Sequence, residues 1–301
     1  MAVERFSEND TKMQKILEDK IRMTIKAGRD FIKMPPENDP DDEWGQMGYH
    51  TDQELRKQQP PLYKAPAGGK ITALPKDFYG LERKNDILEI LYQRKSSRVY
   101  TEEPLSLLQL SFLLWATQGV KSIRGKNYAT IRMVPCGGAR HEFECYIAVR
   151  KVEGLEPGYY HYMPDRHAIE QISPQDADMD ESIINSLCGQ KWAAKASAVM
   201  YYSTIPYRAE WRYGIYAHRA LLIDAGHITE NLYIACSAAG LGTCAVAAVE
   251  TGLSDAMFGL DGEDEFIFYA APVGTISPED EDGEAQIYAF VRDEKGAASP
   301  Q

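Results

Sequence analysis

Apolar residues change rhythm along the chain, and the change marks out its elements. Up to about residue 80 they are sparse. The exception is a stretch from Lys12 to Phe31 that reads as a helix. Pro35-Pro36, Pro60-Pro61, Pro66 and Pro75, with Gly68-Gly69 among them, make the rest of residues 1–80 read as an extended, proline-rich arm. From Asp86 the pattern becomes that of a compact domain, taken as residues 81–301. Ile87, Ile90 and Leu91 fall on one face of a helix running into Arg94. After Pro104 the run LLQLSFLLWAT is apolar on nearly every side, so it predicts a fully buried helix, capped by Ser106 and ended by Gly119.

Shorter β-favouring runs follow. Phe143–Val149 and Tyr159–Tyr162 read as strands, the second entered through the turn Glu156-Pro157-Gly158. Ser197–Ser203 reads as a third, after a short helix around Lys191–Lys195. A long Ala-, Ile- and Leu-rich helix is predicted over Ile215–Ala239, stopping at Gly240. Cys244–Val249 and Phe266–Val273 read as two more strands. Helices and strands mix without regular βαβ alternation, so the fold class is α+β rather than a doubly wound parallel sheet.

Composition narrows the function classes. The 301 residues are 44% hydrophobic and 26% charged, the range of an ordinary globular chain with a real core. The net charge of -12 argues against a nucleic-acid partner, which needs a basic face. It leaves room for an anionic cofactor held by a few local arginines. The acidic runs Asn38–Glu43 and Pro278–Asp282 read as solvated surface. No apolar run reaches membrane-spanning length and the N-terminus carries no apolar signal core, so the expectation is no membrane and a cytoplasmic location. The 5 cysteines include no Cys-x-x-Cys pair, which fits a reducing compartment. Cys145 and Cys236 sit among apolar neighbours and read as small core residues. His218 and His227, nine residues apart, lack ligand spacing, and no metal is assigned; His227 reads as structural.

Three segments are candidates for chemistry. Arg94-Lys95-Ser96-Ser97-Arg98 gathers cations and hydroxyls suited to phosphate oxygens, though a basic helix C-terminus reads the same way. Arg132–Arg140 (RMVPCGGAR) is a small-residue loop that lets backbone approach a flat ligand, or an ordinary tight turn before a strand. It lacks the Gly-x-Gly-x-x-Gly spacing, and no base can be paired with Cys136 to make it a nucleophile. Ala238–Ala248 is a helix end turning into small residues, either a platform for an aromatic group or a cap with close packing.

In this order, the segments resemble the nitroreductase family. The matching stretches are Arg94–Arg98, Leu110–Gly119, Arg132–Arg140, Val152–Tyr162, Arg219–Asn231, Ala239–Gly242 and Pro272-Val273-Gly274. Within the family the pattern is similar to the SagB-type dehydrogenases, which include azoline-oxidising enzymes. The resemblance implies a nitroreductase-like fold, with a central mostly antiparallel sheet flanked by helices. It also implies an intertwined homodimer holding FMN at the subunit interface. Arg94, Lys95, Ser96 and Arg98 would then hold the phosphate and ribityl chain. Pro135, Cys136, Gly137, Gly138 and Ala139 would line the ring, with Gln190 at the ring edge. Gly242 belongs to the matching glycine block, and Ala247 and Ala248 would offer backbone amides to the reactive flavin nitrogen. The flavin would take hydride from NADH or NADPH and reduce a small electron-poor molecule such as a nitroaromatic or quinone. Arg212 and Tyr213 are candidates beside the substrate.

The sequence departs from the pattern in three places. Cys136 stands where serine is usual, Ala247-Ala248 where glycine or an acid–glycine pair is usual, and Arg212 where azoline dehydrogenases carry the lysine of a lysine–tyrosine pair. Arginine does not readily give up a proton. Azoline oxidation and flavin binding without turnover are the alternative readings.

Overall fold

A computed structural model describes residues 8–33, 43–175 and 177–277. Pro35-Pro36 and the acidic residues 38–42 and 278–282 lie outside them. The chain divides into two compact units, residues 1–50 and 51–301. In the first, α1 (Glu8–Ile32) spans the helix expected over Lys12–Phe31 and α2 (Glu43–Gln46) is a single turn.

In the second unit the helices are α3 (Ile87–Gln93), α4 (Leu107–Gln118), α5 (Met179–Ser186), α6 (Tyr207–Tyr213), α7 (Ala217–Ala238) and α8 (Thr251–Phe258). The strands are β1 (Ile71–Ala73), β2 (Val120–Arg124), β3 (Ala129–Arg132), β4 (Phe143–Val149), β5 (Gly158–Met163), β6 (Ala168–Pro174), β7 (Ala198–Thr204), β8 (Leu241–Thr243) and β9 (Phe266–Thr275). Seven strands form one sheet in the order β1-β6-β5-β4-β7-β9-β8, and every ladder in it is antiparallel. β2 and β3 make a separate hairpin.

The sheet is covered on both faces, which explains why its central strands read as unbroken apolar runs. From β4 and β7, Phe143, Cys145, Ile147, Met200 and Tyr202 join the core under α4 and α7. Their alternates Tyr146, Ala148, Val199 and Tyr201 join the core with Met179 and Ile183 of α5 and Phe258 of α8. Cys145 and Cys236 are both core residues, as expected.

Local signals fix the helix ends. The Asp86 carboxylate accepts from Leu88 N at the start of α3. Ser106 and Gln109 form a reciprocal capping box on α4. Gly214, at φ 51, separates α6 from α7, so the long helix begins after the residues expected to open it.

Three expectations need correction. The α4 helix has no exposed residue, but only half of it is fully buried, because Phe112 and Trp115 lie partly open beside Phe78. On α3, Ile90 is buried while Ile87 and Leu91 are exposed, together with Leu88 and Tyr92. Cys244–Val249 is not a strand. The ladder with β9 stops at Thr243, apart from a lone bridge between Val246 and Ala270. The chain peels away there because Ala245 N donates to the Tyr233 hydroxyl of α7 at 2.9 Å.

Residues 51–73 run over the rest of the second unit. Gln53 N donates to Trp211 O, Glu170 accepts from the amides of Ala67, Gly68 and Gly69, and β1 pairs with β6.

Candidate functional site

The first cluster forms where α3 ends. Arg94 closes that helix, its amide donating to Ile90 O, and the chain continues extended. Ser97 is buried against β8, its amide donating to Thr243 O at 2.9 Å. This close approach depends on Gly242, since a Cβ there would lie 2.7 Å from Ser97 Cβ and 2.5 Å from Ile276 Cγ2. Gly242 thus positions the Arg94–Arg98 segment. The neighbouring side chains are set by α7: Ser96 Oγ is 2.9 Å from the Tyr233 hydroxyl, and the Arg94 guanidinium stands 5.3 Å over the Tyr233 ring. Beside them opens a cavity of about 560 Å³, lined by Lys84, Arg94, Lys95, Ser97, Tyr233 and Thr243 among others. Arg98 stands 5.7 Å over the ring of Trp192, which brings it to the turn after α5 where Gln190 sits. The Gln190 amide donates to Leu187 O. Ala247 and Ala248 are exposed just beyond β8.

The second cluster forms around the loop from Pro135 to Arg140, where Pro135 is exposed and Cys136–Ala139 are half-buried. Gly137 N donates to Asp224 Oδ2 of α7 at 2.8 Å. Gly138 has φ 56, and a Cβ on it would lie 2.6 Å from Arg212 Cδ and 2.7 Å from the Tyr213 hydroxyl. The loop and the pair Arg212–Tyr213 are therefore in direct contact. Arg212 Nη1 donates to the Tyr128 hydroxyl at 2.8 Å, and so does Gln53 Nε2 at 2.9 Å. Arg140, buried beneath, donates to Gly138 O and Tyr128 O and stacks 4.7 Å over the Tyr128 ring. Arg208 pins α6 to the sheet through Glu144 of β4 at 2.6 Å and His141 O at 3.0 Å.

Electrostatics separates the side chains within this cluster. Burial pushes the Cys136 thiol far above its ordinary value, so it is a neutral thiol rather than a ready nucleophile. Burial and the adjacent Asp224 push Glu142 up to about 7. Burial, reinforced by Arg132, pushes His141 down to about 2 and keeps its ring neutral.

The two clusters do not meet within one chain. Asp224 and Tyr233, which anchor them, are nine residues apart on α7, a rotation of about 180° and a rise of roughly 13–14 Å. Sequence reasoning missed Tyr233, Asp224, Tyr128 and Glu142. Asp224 and its helix were quoted among the matching stretches, but nothing local shows which acid faces the loop.

Comparisons with known proteins converge. The nitroreductase family model matches residues 91–275. A protein of Methanocaldococcus jannaschii that carries the name nitroreductase is 34% identical over 160 residues, covering 53% of this chain and 77% of that protein. The trifolitoxin-processing protein of Rhizobium leguminosarum bv. trifolii is 27% identical over 133 residues, covering 43% of this chain and 36% of that protein. A crystal structure from Ralstonia eutropha JMP134, named for a nitroreductase, superposes with a TM-score of 0.56 at 24% identity, covering 73% of this chain and 96% of that one. The sheet order and flanking helices described above are this fold.

Proposed function

We propose that this chain, which belongs to the nitroreductase family, is an FMN-dependent oxidoreductase that works as a homodimer. In this reading it reduces small electron-poor molecules, nitroaromatics or quinones, with hydride from NADH or NADPH. The observation that carries the reading is the cation-lined cavity beside Arg94, Lys95 and Ser97. Its volume of about 560 Å³ falls in the range of small-molecule and cofactor sites. Its lining of cations and hydroxyls matches a phosphate-bearing group. FMN, when bound, supplies the hydride transfer itself.

The chain's own residues bind and orient. Arg94 and Lys95, with Ser96 and Arg98 alongside, would hold the phosphate and ribityl chain. The exposed Ala247-Ala248 backbone and Gln190 would approach the ring from the same subunit. Pro135–Ala139, Arg212 and Tyr213 lie on the opposite side of α7, so a second copy would bring them to the same ring. Exposed apolar residues support that pairing: Leu222 and Ile223 on α7, and Ile87, Leu88, Leu91 and Tyr92 on α3. No helix of the described residues is long and apolar enough to cross a membrane, and a cytoplasmic setting remains our reading.

A second reading, azoline oxidation in peptide modification by a SagB-type branch member, is favoured by the similarity to the trifolitoxin-processing protein. Against it stands Arg212, committed to Tyr128 and unsuited to proton transfer.

The test is the visible spectrum of purified protein supplied with FMN, before and after anaerobic addition of NADH and then NADPH. Bleaching, reversed by a nitroaromatic or quinone, is expected. Bleaching of the oxidised flavin by a thiazoline peptide, with nicotinamides ineffective, would favour the second reading. Bound flavin that neither nicotinamide nor a thiazoline peptide reduces would favour flavin binding without turnover. Protein that takes up no FMN would overturn the proposal.

A further inference from the structure

At the Pro135–Arg140 loop, the side chain of Cys136 converges with two carboxylates that the proposed flavin binding does not use. Cys136 Sγ, a Glu142 oxygen and an Asp224 oxygen lie within 4.8 Å of one another. Glu142 is 1% exposed and Asp224 4%. One Glu142 oxygen is 3.3 Å from Cys136 Sγ, while the other, Oε1, is fully buried without a hydrogen-bond partner. Glu142 makes no ion pair among the described residues, and Asp224 pairs with His227 Nδ1 at 3.2 Å. Two dry carboxylates facing each other beside a sulfur are costly to bury unless a positive charge or shared protons offset them.

We propose that this cluster is a site for a borderline-soft divalent cation of the Zn²⁺ class, bound by Cys136, Glu142 and Asp224. The donor set decides the class: a cysteine that releases its proton to solvent as the metal binds, together with carboxylate oxygens, suits Zn²⁺ and its congeners, whereas Ca²⁺ and Mg²⁺ take more ligands, all of them oxygen. The groups behind the ligands are arranged as outer partners of a metal site are. His141 N donates to Cys136 Sγ at 3.0 Å, and Gly137 N to Asp224 Oδ2 at 2.8 Å. His227, bonded to Asp224, has a side chain that is 43% exposed. A cation here ties the loop between β3 and β4 to α7, and so fixes Gly137–Gly138 against Arg212 and Tyr213. The site departs from the sequence-based expectation of no metal because its ligands come from segments more than eighty positions apart.

The test uses the full-length protein, freed of metal by a chelator and titrated with Cd²⁺. Thiolate-to-cadmium charge transfer in the ultraviolet reports binding through sulfur. Saturation at one equivalent per chain is expected, in wild type and in Cys188→Ala, which removes the exposed cysteine. The band is expected to vanish in Cys136→Ala, and Glu142→Gln is expected to weaken binding at least tenfold. Absence of the band in wild type, its survival in Cys136→Ala, or its loss in Cys188→Ala overturns the proposal and leaves a proton-sharing acid pair. Should Cys136→Ala not fold, the Glu142→Gln titration decides alone, with unchanged affinity overturning the proposal. None of these readouts needs flavin or turnover, so their failure leaves the FMN reading untouched.

Discussion

At the C-terminal half of α7 the protein keeps a wide, cation-lined cavity; at the N-terminal half it closes a crowded, nearly dry loop. The first region is built from one contiguous motif, Arg94–Arg98, laid against β8 by Gly242 and shaped by Tyr233. The second is assembled from Gln53, Tyr128, Cys136–Arg140, Arg212–Tyr213 and Asp224, and its polar groups are largely bonded to one another. Cations lining a cavity are placed to meet an anionic ligand. Hydrogen bonds that join the loop to α6 and α7 are prepared to hold a shape. The difference says that substitutions in the first region should change ligand retention, and those that break the internal hydrogen bonds of the second should change stability.

The largest effect that would break this contrast is in the cationic grip. Arg94→Ala or Arg98→Ala removes a charge-assisted phosphate bond of about 1.5–3 kcal/mol, roughly a 10- to 150-fold rise in the FMN Kd. Thermal stability without flavin should barely move. Unchanged flavin titration in both variants would refute the phosphate assignment.

Gly138→Ala comes next. It forces a side chain into the left-handed region against Arg212 and Tyr213, and an expected loss of about 1–3 kcal/mol should appear in urea unfolding. A neutral result would mean that the loop is not held as described.

Smallest is Tyr128→Phe, which removes the hydroxyl accepting from both Gln53 and Arg212, at about 0.5–1.5 kcal/mol per lost bond. The double variant Tyr128→Phe with Gln53→Ala should cost little more than Tyr128→Phe alone, because both substitutions delete the same bond. Full additivity would place Gln53 outside the network.

The sequence was legible where structure is local or periodic. The Ser106 cap, the Gly119 stop and the apolar runs of β4, β7 and β9 could be read directly, because capping is decided within a few residues and a strand covered on both faces is mostly apolar. The short β1 and the half-polar β6 were missed, since each becomes a strand only by pairing with its neighbour. The run Cys244–Val249 is as apolar as a true strand, yet its ladder ends because Tyr233 captures the next amide. The helix α3 was read as having a core face, but only Ile90 meets the core.

By itself, then, the sequence determined the α+β class, the order of the main elements and the family resemblance, and it offered three candidate segments for chemistry. Each of these depends on residue type and spacing along the chain. The tertiary structure alone decided that Asp224 reaches Gly137, that Tyr128 joins Gln53 to Arg212, and that Glu142 and Cys136 share a buried site with Asp224. Such contacts join positions far apart in the chain. They form only when the sheet and α7 are packed, because burial then leaves each polar group no partner but the one the fold supplies.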